Sequence, residues 1–170
     1  RKTGHETKVY PSFQEKRFNI PKNEVKPTRN NHEVLEGKEK KEFLKGAEIA
    51  YETILTAFAN GEIKKFKNLL TPNMNNNFSD AINARNLEKI KSEFTFIGIK
   101  ESTVEKYEKI NDVLFATVKF VAEVISVKKD KDDKVIEGNP DKIKFVKDVW
   151  KFTRNIKNKS PNWYLAEIIS

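Results

Sequence analysis

Cysteine is absent from the 170 residues. That removes thiol catalysis, disulfide staples and every zinc site built on thiolate. Histidine occurs twice, at His5 and His32. Both lie in or beside a polar arm without an orienting partner, so no histidine-centred catalytic set or His-rich metal spacing is expected. No stretch approaches the ~18 consecutive apolar residues of a membrane span. No glycine-rich phosphate loop and no internal repeat occurs. Methionine occurs once, at Met74, and residue 1 is Arg. The chain therefore reads as a trimmed piece, with any anchor or signal lying upstream.

What is present suits one domain of ordinary size. The hydrophobic set makes up 37% and charged residues 34%, and twelve Phe, four Tyr and two Trp can build a core. The net charge of +8 is unevenly placed. Residues 1–31 hold eight basic and three acidic side chains, a net +5, so the rest carries only +3. This arm contains Pro11, Pro21 and Pro27 and has no helical period, so it reads as extended. Phe13, Phe18 and Ile20 are its apolar anchors. Only five of the cations are Arg. Base and phosphate readers lean on arginine forks, so specific nucleic-acid recognition is not expected.

Residues 32–170 form the domain. Phe43, Ala47, Ala50, Tyr51, Ile54 and Phe58 recur at three- and four-residue steps, which predicts a helix over 33–60. Gly61 is placed to stop it. Ile63, Phe66, Leu69 and Leu70 suggest a short second helix. Thr71-Pro72 caps a third, which buries Met74, Phe78, Ala81 and Ile82. The period then changes to two. Phe94 to Ile99 reads as a strand, and Asn111-Asp112 as a turn. Val113 to Val127 reads as a long central strand with Leu114, Ala116, Val118, Phe120, Ala122 and Val124 on one face. A charged hairpin over 128–141 leads to strands at 144–157 and 163–169. Helices followed by an antiparallel meander predict an α+β domain, with helices packed on a strongly curved sheet. Its long bent strands would make a cone with an apolar mouth.

Three features could carry chemistry. Asp130, Asp132, Asp133 and Glu137 form an acidic cluster. It lacks the turn glycine of a calcium loop and is interleaved with lysines, so it reads as a solvated hairpin tip. Trp150, Phe152, Trp163 and Tyr164 read as core. With Phe115 and Val121, the first three are also candidate linings of a pocket in the cone. Lys38, Lys40, Lys41 and Lys45 give the first helix a basic start. Together with Arg1, Lys2 and Lys8 they form a candidate membrane-proximal basic set, at ~1 kcal/mol per Lys near an anionic surface.

Several segments resemble the Tim44-like domain family. They are Phe43-Leu44-Lys45-Gly46-Ala47 through Ala57-Phe58-Ala59-Asn60-Gly61, and Phe66 through Leu69-Leu70-Thr71-Pro72. The clearest are Asp148-Val149-Trp150-Lys151-Phe152-Thr153-Arg154 and Ser160-Pro161-Asn162-Trp163-Tyr164-Leu165. Arg1-Lys2-Thr3-Gly4-His5-Glu6 is similar to the segment directly after the single N-terminal membrane helix of bacterial members. The resemblance implies a cone of the nuclear-transport-factor-two-like superfamily and a non-catalytic, membrane-associated scaffold domain without a cofactor, whose cavity would bind a lipid tail or a hydrophobic peptide segment. It also implies anionic lipid and a protein partner, such as a membrane protein or chaperone. With the basic arm it gives an expected location on the cytoplasmic face of a bacterial inner membrane, tethered by an upstream helix. One rival reading is a pocket enzyme of isomerase or hydratase type on the same cone, for which Tyr107, Asp148 and Glu123 are the candidates, and another is a non-specific polyanion binder acting through the arm.

Overall fold

The computed structural model describes residues 34–170. Helix α1 spans Gly37–Ala59. Two short 3-10 turns come next, at Ile63–Lys65 and Lys67–Leu69, where a short helix was expected. Helix α2 spans Pro72–Leu87. The remainder is sheet: β1 Lys91–Ile110, β2 Val113–Lys129, β3 Val135–Gly138, β4 Lys144–Asn155 and β5 Tyr164–Ile168. All paired strands are antiparallel, in the order β1-β2-β4-β5, with β3 on the far end of β2. This is the α+β architecture read from the sequence.

Local chemistry sets the helix ends. Gly61 adopts φ +73°, in the left-handed region. The Gly61 N–H donates to the Phe58 carbonyl at 3.0 Å, and the Glu62 N–H to that of Ala57 at 2.8 Å. These are the two bonds of a Schellman cap, which satisfy carbonyls that α1 leaves orphaned. A Cβ at Gly61 would also lie 3.2 Å from Arg85 Nη2, which donates to the Phe58 carbonyl at 2.7 Å. At the start of α2 the Thr71 hydroxyl accepts from the Met74 N–H at 3.4 Å, with Pro72 at the first helical position.

Curvature comes from β1. Its pairing with β2 slips between Phe96 and Gly98, Ile99 and Glu101, and Val104 and Lys106. Such bulges bend a strand and increase its twist. They also shift its faces. Phe96 stands opposite Val124 and Ile99 opposite Ala122, so both join the helix-facing side, while Ile97 is exposed. On β2 and β4 the helix-facing row runs Ala116, Val118 and Phe120 opposite Phe152, Trp150 and Asp148. Helix α1 fills this concave face with Tyr51, Ile54 and Phe58, each almost wholly buried. Helix α2 closes one end, where Phe78 meets Phe58 and Phe66 edge-on at 5.1 and 5.4 Å between ring centroids.

Candidate functional site: a groove beside the first helix

The concave face is filled where α1 crosses its middle. The N-terminal half of the helix leaves a gap, because residues 37–42 are exposed. One part of the gap, a groove of ≈ 360 Å³, lies between Gly46, Ala47 and Ala50 on α1, Leu69, and the wall made by Phe152 and Trp163. An adjoining depression of ≈ 500 Å³ shares Glu42, Phe43, Pro161 and Trp163 and extends to Leu35, Tyr107 and Arg154. Phe43 packs edge-on against Trp163 at 4.7 Å and against Phe152 at 6.0 Å, which stiffens the wall. Trp163 itself is half-buried. Gly46 has open space where a Cβ would stand, so the groove floor is clear at this point.

Charges on the same stretch of helix fall on adjoining sides, with Glu42 at the boundary between them. Glu42 lines both the groove and the depression, and Glu39 lines the depression alone. Lys38, Lys41 and Lys45, at steps of three and four, share another stripe of α1, and Lys40 falls on neither. All four lysines are exposed. Lys38 reaches back to Glu42 at 3.7 Å, a loose pair between exposed groups. Arg1, Lys2 and Lys8, like His5 and His32, lie outside the described residues.

The expected pocket residues divide. Phe152 and Trp163 line the groove. Trp150 lies deeper, fully buried between Tyr51 and Phe120 at 4.7 and 6.0 Å. Trp163 is therefore a wall residue rather than a core one. Phe115 and Val121 alternate with the helix-facing row and stand on the opposite face of the sheet. There the Lys151 ammonium lies 5.8 Å from the Phe115 ring centre, and Phe115 and Val121 do not reach the groove. A strand's two-residue period places them there, whatever their hydrophobicity. Sequence reading did not single out Gly46, Leu69, Glu39 or Glu42 for the groove. A glycine in mid-helix, flanked by segregated charges, is the signal that could have found them.

The residues of the rival enzymatic reading do not converge. Tyr107 borders the depression. Glu123 is on the outer face, paired with Lys100 at 3.1 Å. Asp148 is fully buried and accepts a hydrogen bond from the Tyr51 hydroxyl at 2.5 Å. Burial first, and then the negative charge and hydrogen bond of Asp148, push the Tyr51 phenol well above its ordinary range. Tyr51 stacks on Phe120 at 4.2 Å and does not open onto the groove. At the hairpin tip, the Asp130 carboxylate accepts from the Asp132 and Lys134 N–H groups, Asp133 pairs with Lys91, and Glu137 with Lys128. Those acids are held by turn and ion-pair bonds. No group of acids or histidines placed to hold a metal occurs among the described residues, and no described helix is long and apolar enough to cross a membrane.

No curated protein sequence matches the chain. Among solved structures, the intermembrane space region of the chloroplast protein ARC6 aligns at 12% identity and a TM-score of 0.48, over 75% of this chain and 96% of that one. A ketosteroid isomerase-like protein from Erwinia carotovora atroseptica SCRI1043 aligns at 16% identity and a TM-score of 0.41, over 76% of this chain and 98% of that one. Likenesses this distant say nothing about a ligand or a reaction. The Tim44-like domain model matches residues 29–170, which takes in both helices and every strand of the sheet. The chain belongs to the Tim44-like domain family.

Proposed function

We propose that this chain is a non-enzymatic, membrane-associated interaction domain. In this reading its lysines meet an anionic membrane and its groove receives an apolar segment of a protein partner. Membership of a family that is generally non-enzymatic supports the first part. The observation that carries the rest is the sorting of charge on α1. Lys38, Lys41 and Lys45 form an exposed stripe, while the groove offers apolar side chains bordered by Glu42, with Glu39 beside the adjoining depression. An anionic lipid headgroup is attracted to the stripe and repelled by the rim. An apolar polypeptide carrying basic residues suits the groove. The basic arm, at net +5, adds to the attraction for anionic lipid. Basic residues close to the end of a span favour the cytoplasmic side, so the proposed location is the inner face of a bacterial cytoplasmic membrane, with a tether upstream.

The stripe can be tested alone. The full chain should co-sediment with phosphatidylglycerol vesicles at low salt and hardly at all with phosphatidylcholine. The triple variant Lys38→Glu, Lys41→Glu, Lys45→Glu should lose about a hundredfold or more of that partition, since three cations contribute ~1 kcal/mol each. Partition unchanged by the triple variant would remove α1 from the membrane contact.

A further inference from the structure

We infer that the segment received beside α1 carries an acidic side chain next to its apolar anchor, and that Arg154 is the residue that reads it. The inference rests on the groove being a site for an apolar polypeptide segment, as proposed above, and adds the chemistry that selects the segment.

Arg154 stands opposite Leu114 in the pairing of β2 with β4, two residues beyond Phe152. It therefore shares the helix-facing side of the strand, and both Arg154 and Leu114 line the depression. Its Nε is enclosed by protein and has no hydrogen-bond partner, and Arg154 makes no ion pair among the described residues. A guanidinium holds five donors in a planar fork that matches a carboxylate. Leaving an enclosed donor of this kind unsatisfied is costly, so a carboxylate brought to it is strongly favoured. The acids nearby do not supply one. Phe43 packs on Phe152, and Tyr51 reaches Asp148, so α1 and β4 run in opposite senses here. Glu39, one turn before Phe43, and Arg154 thus stand at about the same level on the two walls of the depression. Glu39 makes no ion pair among the described residues, and Glu42 is met by Lys38 instead.

Charge decides which carboxylate fits. Glu39, Glu42 and Arg154 are the charged residues lining the depression, which therefore holds a net −1. A lipid phosphate reaching Arg154 also meets two glutamates. A polypeptide can offer an acid to Arg154 and a base to the opposite wall, which complements both. The groove continues from the depression past Trp163, so a segment with its apolar anchor against Phe152 and Trp163 brings a neighbouring side chain to Arg154. In an extended segment, side chains two positions apart share one side at about 7 Å, which matches the step from Phe152 to Arg154 along β4. The acid is therefore expected two positions from the anchor.

The test selects binders to the full chain from short, terminally blocked peptides with a central Leu-Phe and random flanks. Asp or Glu should be enriched at one fixed position beside the apolar pair. In a selected peptide, changing that acid to its amide should weaken binding to wild type about tenfold or more. The same change should alter binding to Arg154→Gln less than about twofold, because the bond it removes is already gone. Selection on Arg154→Glu should favour Lys or Arg at that position, a swap that a merely misfolded protein does not produce. Gly46→Leu, which plugs the groove floor, should abolish binding of the selected peptides, and Gly46→Ala should leave it intact as a control for folding. If peptides lost in Gly46→Leu show no acidic preference, or if the amide costs as much on Arg154→Gln as on wild type, the groove reading stands and the inference falls. If no selected peptide responds to Gly46→Leu, the groove reading falls and takes the inference with it. If monomeric dihexanoyl phosphatidylglycerol binds wild type, is lost in Arg154→Gln, and the peptides show no acidic preference, Arg154 holds a lipid headgroup and the inference is overturned.

Discussion

Tyr51 and Asp148 form a polar contact in an aromatic core, joining α1 to β4 across 97 residues of sequence. Burying a carboxylate is costly unless it is hydrogen-bonded, and the phenol supplies one such bond. Replacing Tyr51 by Phe keeps the ring that stacks on Phe120 but removes that donor. The expected cost is ~1.5–3 kcal/mol, the range for a hydrogen bond to a charged group, measured by urea unfolding at neutral pH. The pair also has a pH signature. The folded-state pKa of Tyr51 is raised, so the neutral phenol is the form the fold prefers. Its contribution is complete below the unfolded-state value near ~10. It is lost as pH rises beyond that, because the unfolded chain then releases a proton that the folded chain retains. Wild-type stability should therefore fall more steeply above pH ~10 than that of Tyr51→Phe. Parallel curves for the two proteins would mean that Tyr51 is not held neutral by its surroundings. Neither partner was legible as a pair from sequence. Asp148 sits beside the Val149-Trp150 run and Tyr51 within an apolar helical stripe, and only the antiparallel register brings them together.

At the scale of elements, legibility follows periodicity. Helix α1 was readable because its buried positions repeat at three- and four-residue steps and Gly61 ends it. Helix α2 was readable from Thr71-Pro72. Strand β1 was not. Beyond Ile99 it runs Lys100-Glu101-Ser102-Thr103-Val104-Glu105-Lys106, with polar residues on both sides and bulges that break the period of two. Its cohesion comes partly from ion pairs to β2, such as Lys119 to Glu101 at 2.8 Å, which holds that glutamate below the usual carboxylate range. Such pairs leave no hydrophobic pattern to read. Gly46 is the exception within α1. A glycine in a helix interior costs ~0.5–1 kcal/mol relative to alanine, and no neighbour crowds the place where its Cβ would stand. Gly46→Ala should therefore raise stability by about that amount, read from the urea midpoint. A destabilised Gly46→Ala would mean that the helix packs more tightly there than the open groove allows.

For the whole molecule, the fold was recoverable and the site only in part. The order of helices before a meander, with Trp150 and Phe152 on one strand face, was enough to place α1 on a curved sheet. The groove depends on where α1 stops covering that sheet and on the loop carrying Pro161 to Trp163. Neither has a local signature. Phe115 and Val121 show the same limit, since apolar character alone does not tell the outer face of a sheet from the inner one. The proposed function assigns two surfaces to one helix, a lysine stripe to lipid and the apolar groove to polypeptide. The most direct test records tryptophan emission of the full chain on phosphatidylglycerol vesicles with brominated acyl chains. Trp150 is fully buried, so Trp163 in the groove wall is the reporter. The expected result is salt-reversible binding with Trp163 unquenched, because the membrane meets the stripe and not the groove. Strong quenching of Trp163 would put acyl chains in the groove, and salt-insensitive binding would remove the electrostatic contact. Either would contradict the division of α1 into a lipid-facing and a polypeptide-facing side.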